Sequence, residues 1–412
     1  MKLLIVLGSI NPNEDANSNI VSLLCKEFID AGHEVDVLGM AFKKCKKKEV
    51  IDGVTYNRII LCDDAILNHQ TEEFSLIDNK KEKMQFLFLH PHWVIDRLWK
   101  HLRARFIDYK EHLYKKHICA LTQSKKYDRI IVVTAPFYIT RAVLKTKISA
   151  PLIWYQLDPN QSNITSIYKN KEKALKEEIE WYKQIKYAVI PKLVYEENLN
   201  NPLQVFKNKM IPANFPNVRQ ISIVPIEDDI SFDKNYINLV FAGTFYPDIR
   251  NPEMMFNIIS QLKDKRIKFH IVGGGCEDII KKWIPKCDHI IWHGYKSVEI
   301  ATNAIKNADI LVNLENTASN MLPSKINDYI STGHPIINFH PFEKSACSEY
   351  MTQYPACYDC YLNPNQHVDI SKLEDFCIGY SGKTFDFDEI RMFFLESTPE
   401  YITKLLLEGK NV

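Results

Sequence analysis

At 412 residues the chain exceeds one average domain, so two domains are expected. An apolar share of 46% is ordinary for a globular protein and excludes a disordered one, and a net charge of +1 removes any global case for nucleic acid as a partner. Ten scattered cysteines, with only Cys357 and Cys360 closely spaced, fit free thiols in a reducing cytoplasm better than a disulfide framework or a zinc site.

The opening Met1 to Ile10 superficially resembles a signal peptide. Its apolar run is too short, it lacks a small-residue cleavage site, and Pro12 follows, so it reads as a first buried strand. Leu3 to Leu7 is that strand, and Gly8 opens the loop at its carboxyl end. Gly8 is either a turn glycine or the floor of a substrate site. A helix from Ser18 to Ala31 and a strand over His33 to Leu38 complete a βαβ opening. It carries no G-x-G-x-x-G, which argues against a tightly held dinucleotide in this half.

Lys43 to Lys48 is a short basic run that reads as a solvated loop, with a functional basic element as the alternative because a second one follows. Val94 to His117 has the period of a helix, with Ile95, Leu98, Leu102, Phe106, Tyr109 and Leu113 on one face and many Lys and Arg around it. Most such helices face a core; a minority lie on anionic membranes, and sequence does not separate the two. Ile130 to Thr134 and Ile153 to Pro159 read as strands, the second delivering Asp158 to the carboxyl edge where α/β sheets bind ligands. A helix over Lys171 to Lys186, a strand over Tyr187 to Pro191 and a last strand ending at Val224-Pro225 close the first half. Ile226 to Tyr236 is the linker candidate.

The second half repeats the pattern. Strands are expected at Ile237 to Thr244, Lys268 to Val272, His289 to Tyr295, Ala308 to Leu314 and Ile336-Ile337. Helices are expected at Pro252 to Leu262, from Glu277, and at Ser297 to Lys306. Met321 to Asn338 is the most informative stretch. Pro323 and Ser324 open a short helix that Gly333 stops, and Lys325 and Asp328 share one of its faces. A cation and a carboxylate at a helix N-terminus suit a phosphate and a sugar hydroxyl. Phe387 to Leu407 reads as helical. The expected class is α/β, two Rossmann-like doubly wound domains facing a cleft. Their spans are 1–228, 229–386 and, for a C-terminal helix returning to the first domain, 387–412.

Four pieces in order carry a resemblance: Phe241-Ala242-Gly243-Thr244, Ile271 to Gly275, His293-Gly294-Tyr295, and Pro323 to Tyr329 with Gly333-His334-Pro335. Together they resemble a nucleotide-sugar-dependent glycosyltransferase of the GT-B fold. The similarity is to the retaining family-four group, in the subgroup with a P-S-K-x-x-E/D-Y pattern. The resemblance implies that the first domain binds acceptor and the second binds donor. Gly243, Thr244 and Gly274 would admit the donor diphosphate, with Ser324 and its helix amides completing the cradle. Arg250 and Lys325 would be the catalytic cations on that diphosphate, so that neither a metal nor another cofactor is needed. Asp328 would hold the ribose, and Gly294 and Tyr295 would lie near the base. Gly8, His92 (or His90) and Asp158 are the acceptor-side candidates; His92 is equally a packed histidine.

Two departures stand out. The larger family has a second acid eight residues before the one matching Asp328, and here that position is Asn320; the usual lysine after the first glycine loop is also replaced by Arg250. Glu315 is a substitute at the sugar hydroxyls. Asp386-x-Asp388 has the spacing of a metal-binding string but reads as a helix cap. The resemblance implies transfer from a nucleoside-diphosphate sugar, UDP-sugar favoured, to a glycan or lipid-linked acceptor in cell-surface polysaccharide synthesis. It also implies a cytoplasmic location, with a peripheral contact on the inner face of the membrane left open. The alternatives are a catalytically degenerate subunit that stabilises a partner, and a nucleotide-sugar epimerase.

Overall fold

The computed structural model describes the chain except residues 13–14, 42–44, 61–73, 75–76, 78, 92, 96–97, 99–108, 135, 158–170, 228, 318–324, 344, 364, 366–367 and 411–412. It divides into two units, Met1–Pro216 with Pro399–Val412, and Asn217–Thr398.

The first unit is built on an eight-stranded sheet. In chain order its strands are β1 (Lys2–Ser9), β2 (Glu34–Ala41), β3 (Lys48–Ile51), β4 (Val54–Ile60), β5 (Arg129–Val133), β6 (Leu152–Tyr155), β7 (Tyr187–Pro191) and β8 (Met210–Ala213). They lie in the order β3-β4-β2-β1-β5-β6-β7-β8, and β3 is the antiparallel member. Central strands read as unbroken runs of Val, Ile and Leu because helices cover both faces, leaving no solvated side to demand alternation. The helix Pro399–Glu408 completes this core with Ile402, Leu405 and Leu406, and Tyr187 donates its hydroxyl to Leu406 O at 3.0 Å.

The second unit has β9 (Ile237–Thr244), β10 (Ile267–Gly274), β11 (Ile290–Gly294), β12 (Ile310–Leu314), β13 (Ile336–His340) and β14 (Cys357–Tyr361). Their order is β11-β10-β9-β12-β13-β14, all parallel, so the direction of winding reverses between β9 and β12. Ligands of doubly wound sheets bind at such a reversal, outside the carboxyl ends of the strands.

Some expectations are corrected and others are kept. No strand ends at Val224-Pro225: the last strand of the first unit is β8, and Val218 and Ile221 already belong to a core of the second unit. The acidic stretch after them is a strap rather than a free linker. Asn303 holds it by donating to Val224 O (2.6 Å) and Asp229 Oδ2 (2.7 Å) while accepting from Val224 N–H at 3.0 Å. Phe387–Phe393 is a separate short helix whose Ile390 is buried in the second unit, so only the helix from Pro399 belongs to the first. Asp386 caps that short helix, accepting from Asp388 N–H at 2.8 Å. Cys357 and Cys360 fall on opposite faces of β14, in different cores, and so do not converge on one ion. Of the expected basic helix, Tyr109 onward is described as the helix Tyr109–Ser124, while Ile95 and Leu98, expected on its apolar face, are exposed.

Candidate active site

The local geometry follows from how β9 meets β12. The two strands pair only at Leu239–Ile310 and Val240–Leu311, then run on to Thr244 and Leu314 without further ladder contacts. The groups of Ala242 and Thr244 on that open side therefore need other partners. The helix Lys325–Thr332 supplies them for Ala242: Tyr329 Oη accepts from its N–H at 3.0 Å, and Lys325 Nζ donates to its carbonyl at 2.6 Å. Arg250 supplies Thr244, with one terminal nitrogen donating to its carbonyl at 3.4 Å and Nε donating to Asn316 Oδ1 at 3.0 Å. Two cations from distant sequence thus meet at the reversal point.

Neither cation is saturated there. An ammonium has three donors and a guanidinium five. Among the described residues one donor of Lys325 and two of Arg250 are engaged. Burial lowers the proton affinity of Lys325, and the Arg250 charge lowers it further; Asp328 acts in the opposite direction. Lys325 as a residue is exposed, so the crowding falls on its inward-turned ammonium rather than on its stem. Burial likewise leads the lowering at Arg250. Positive charge held against such a cost is charge available to an anion.

The glycines make room for this. A Cβ on Gly243 would sit 3.0 Å from Lys325 Nζ and 3.2 Å from the Phe241 ring. Gly273, its partner on β10, has φ of 141°, and a Cβ there would lie 1.9 Å from Gly243 O. Only glycine fits. Gly274 is paired with Thr244, and its Cα faces the Tyr295 ring so closely that a Cβ would come within 2.6 Å of it. Tyr295 is 63% exposed, an aromatic face standing over the glycine loop.

Asp328 is not open. Its Oδ1 accepts from Arg219 at 2.8 Å, and Arg219 N–H also donates to Ser331 Oγ at 3.1 Å. Burial raises the carboxyl's proton affinity, against the opposing charges of Arg219 and Lys325. About a third of the side chain, 31%, still reaches solvent, so a second ligand can approach. Arg219 was absent from the sequence reading, and no local pattern points to it.

Glu315 lies at the end of β12 but is 6% exposed. It accepts from Asn338 Nδ2 at 2.7 Å and from the Ser345 hydroxyl, and burial pushes its carboxyl up. It is part of a network with the buried Asn313 and Asn338 and the exposed Asp359, which occupy matched positions on β12, β13 and β14. A second missed feature is the chain Asn238–His270–His293. Asn238 Oδ1 and His270 Nε2 are 3.1 Å apart, and His270 Nδ1 and His293 Nε2 are 2.9 Å apart. Asn238 Nδ2 donates elsewhere, so Oδ1 accepts from His270 Nε2–H, and His270 Nδ1 must accept from His293. His270 is then neutral, and burial holds it down to about 4; burial also lowers the proton affinity of His293.

The structure therefore brings Gly243, Thr244, Arg250, Lys325 and Asp328 to one place, and Gly274 to Tyr295. Gly8 ends β1 beside the reversal point of the first sheet, its carbonyl accepting from Tyr114 at 2.8 Å. His90 stacks on Phe86 with centroids 4.1 Å apart and is a packing residue. Ser324, His92, Asp158 and Asn320 lie outside the described residues.

No family model matches the chain, and no curated protein matches it by sequence. Solved structures do. The apo lipopolysaccharide outer core galactosyltransferase WaaB aligns at 12% identity over 100% of both chains, with a TM-score of 0.54. A glycosyltransferase from Rickettsia africae aligns at 11% identity over 99% of both, with a TM-score of 0.56. A trehalose-6-phosphate structure from E. coli, bound with UDP-2-fluoro glucose, aligns at 10% identity over 100% of this chain and 99% of that one, with a TM-score of 0.54. The fold is GT-B.

Proposed function

We propose that this chain is a glycosyltransferase that moves a sugar from a nucleoside-diphosphate sugar, UDP-sugar favoured, onto a glycan or lipid-linked acceptor. The observation that carries the reading is the meeting of Arg250 and Lys325 at the open side of β9, with donors to spare. In this reading those donors take the diphosphate, Gly243 and Gly274 let it approach the backbone, Asp328 takes the ribose and Tyr295 lies by the base. The UDP-2-fluoro glucose bound in one fold neighbour, and a galactosyltransferase among the others, support this choice of donor class.

The chemistry is retaining and needs no metal. The bond from the sugar's anomeric carbon to phosphate breaks while the acceptor oxygen bonds the same face, and the acceptor's proton passes to the departing phosphate oxygen. Charge builds on the leaving diphosphate, where two fixed cations act most strongly; one such group contributes on the order of 10²–10³ in rate. A role in cell-surface polysaccharide synthesis, on the cytoplasmic side and peripheral to the membrane, fits a lipid-linked acceptor. No described helix is long and apolar enough to cross a membrane. Asn320, in place of the family's first acid, favours a second reading, a subunit that keeps the fold without turnover.

A thermal-shift panel of nucleoside diphosphates and their sugars tests the donor assignment. Stabilisation by UDP and UDP-sugars, and not by GDP, is expected. Silence across the whole panel would reject it in favour of the subunit.

A further inference from the structure

The helix Lys80–Leu89 is apolar on two sides. Its inner side is anchored: Phe86 packs on Phe74 (5.4 Å between centroids), on Trp93 edge-on (5.5 Å) and on His90. This small cluster, drawn from residues 74–94, covers one side of the helix. Phe88, two residues on, points nearly the opposite way and is 89% exposed; Met84 is 73% and Leu89 65% exposed, with Leu87 beside them. Folding needs one apolar face per surface helix, so the second face awaits something else.

Charge identifies the occupant. Lys80 and Lys81 flank Met84 and Phe88 on the same exposed arc. From Lys80 to His117 the sequence has ten Lys and Arg against four Asp and Glu, a net +6. The whole chain is only +1, so the remainder carries net −5. A row of large apolar side chains edged by lysines, on a strongly basic segment of a near-neutral chain, matches an anionic interface. The rings enter the acyl boundary while the ammonium groups stay among the headgroup phosphates. We infer that Lys80, Lys81, Met84, Leu87, Phe88 and Leu89 form a docking surface for an anionic lipid bilayer. The inference deepens the peripheral placement proposed above, and makes the first unit the side that meets the membrane.

The test is flotation of the full chain with vesicles of phosphatidylglycerol and phosphatidylethanolamine, against vesicles of phosphatidylcholine alone, without nucleotide sugar. The wild type is expected on the anionic vesicles at least about tenfold more than on the neutral ones, with the difference shrinking at high salt. Phe88→Ser with Leu89→Ser, and separately Lys80→Glu with Lys81→Glu, should each lower the bound fraction about tenfold. All four side chains are exposed, and an unchanged UDP thermal shift in each variant shows that the fold and the donor site are intact. Three results would overturn the inference: no wild-type binding to anionic vesicles, equal binding by the serine variant, or self-association that the serine variant abolishes in protein that ignores vesicles. Loss of the UDP shift with vesicle binding kept would instead reject the donor reading alone.

Discussion

Replacing Lys325 with methionine separates a cation kept for a ligand from one kept for the fold. Methionine retains most of the stem volume and removes the ammonium. The fold loses the hydrogen bond to Ala242 O, leaving that carbonyl without its cation at about 1–3 kcal/mol. It also loses a charge that burial and Arg250 both disfavour, which offsets part of that cost. Stability should therefore fall by no more than about 2 kcal/mol, or about 4–8 °C in Tm for a domain of this size. A diphosphate, by contrast, loses one charge-assisted contact of about 1.5–3 kcal/mol, which is roughly 10- to 150-fold in Kd. Calorimetric titration with UDP, alongside a denaturation curve for each protein, measures both quantities. A variant destabilised by several kcal/mol that still binds UDP like the wild type would refute the reasoning and make Lys325 a structural residue.

Three further outcomes are expected. Gly273→Ala should cost about 3 kcal/mol or more, since its Cβ would strike Gly243 O in a backbone conformation closed to alanine, whereas Gly294→Ala, with φ of 70° and nothing within 4 Å, should cost only about 1 kcal/mol. Urea midpoints for both would contradict this if the two losses were equal. Arg219→Ala removes a cation that holds the Asp328 carboxyl down, so the acid limb of UDP affinity should move to higher pH. An unmoved limb would detach Arg219 from the site. For His270 the folded value of about 4 lies below the ordinary 6.5, so the unfolded chain binds the extra proton. Its contribution is intact above about pH 7 and declines as the pH falls through 6.5 toward 4, by on the order of 2–3 kcal/mol at pH 4.5. His270→Phe should flatten that part of the stability profile, and an unchanged slope would remove the histidine chain as its source.

Most of the parallel strands were legible because their residues are buried on both faces. Ile237–Thr244 and Tyr187–Pro191 read as strands by composition alone, at the bounds observed. The Val224-Pro225 error has the same root. Ile221 to Pro225 has strand-like residues, but its backbone groups go to Asn303 rather than to a neighbouring strand, and that choice is made by tertiary contact. The β3–β4 hairpin did carry a signal, Asp52-Gly53 between two short β-branched runs, with both turn residues at positive φ. In the candidate site, Lys325 and Asp328 were visible because helical spacing binds them together. Arg219 meets Asp328 across 109 residues of sequence, and His270 meets His293 across 23 and from a different strand. Nothing local encodes such meetings; the order of strands in the sheet does.

The central claim is that Arg250 and Lys325 stabilise a departing nucleoside diphosphate. Its most direct test is the release of UDP from a UDP-sugar in the presence of glycan or lipid-linked acceptors, by the wild type and by the Arg250→Ala, Lys325→Met double variant. The account predicts release matched by sugar transfer in the wild type, and a fall of about 10³-fold or more in the double variant. Equal release by the two proteins, or none by the wild type with any nucleotide sugar, would contradict it.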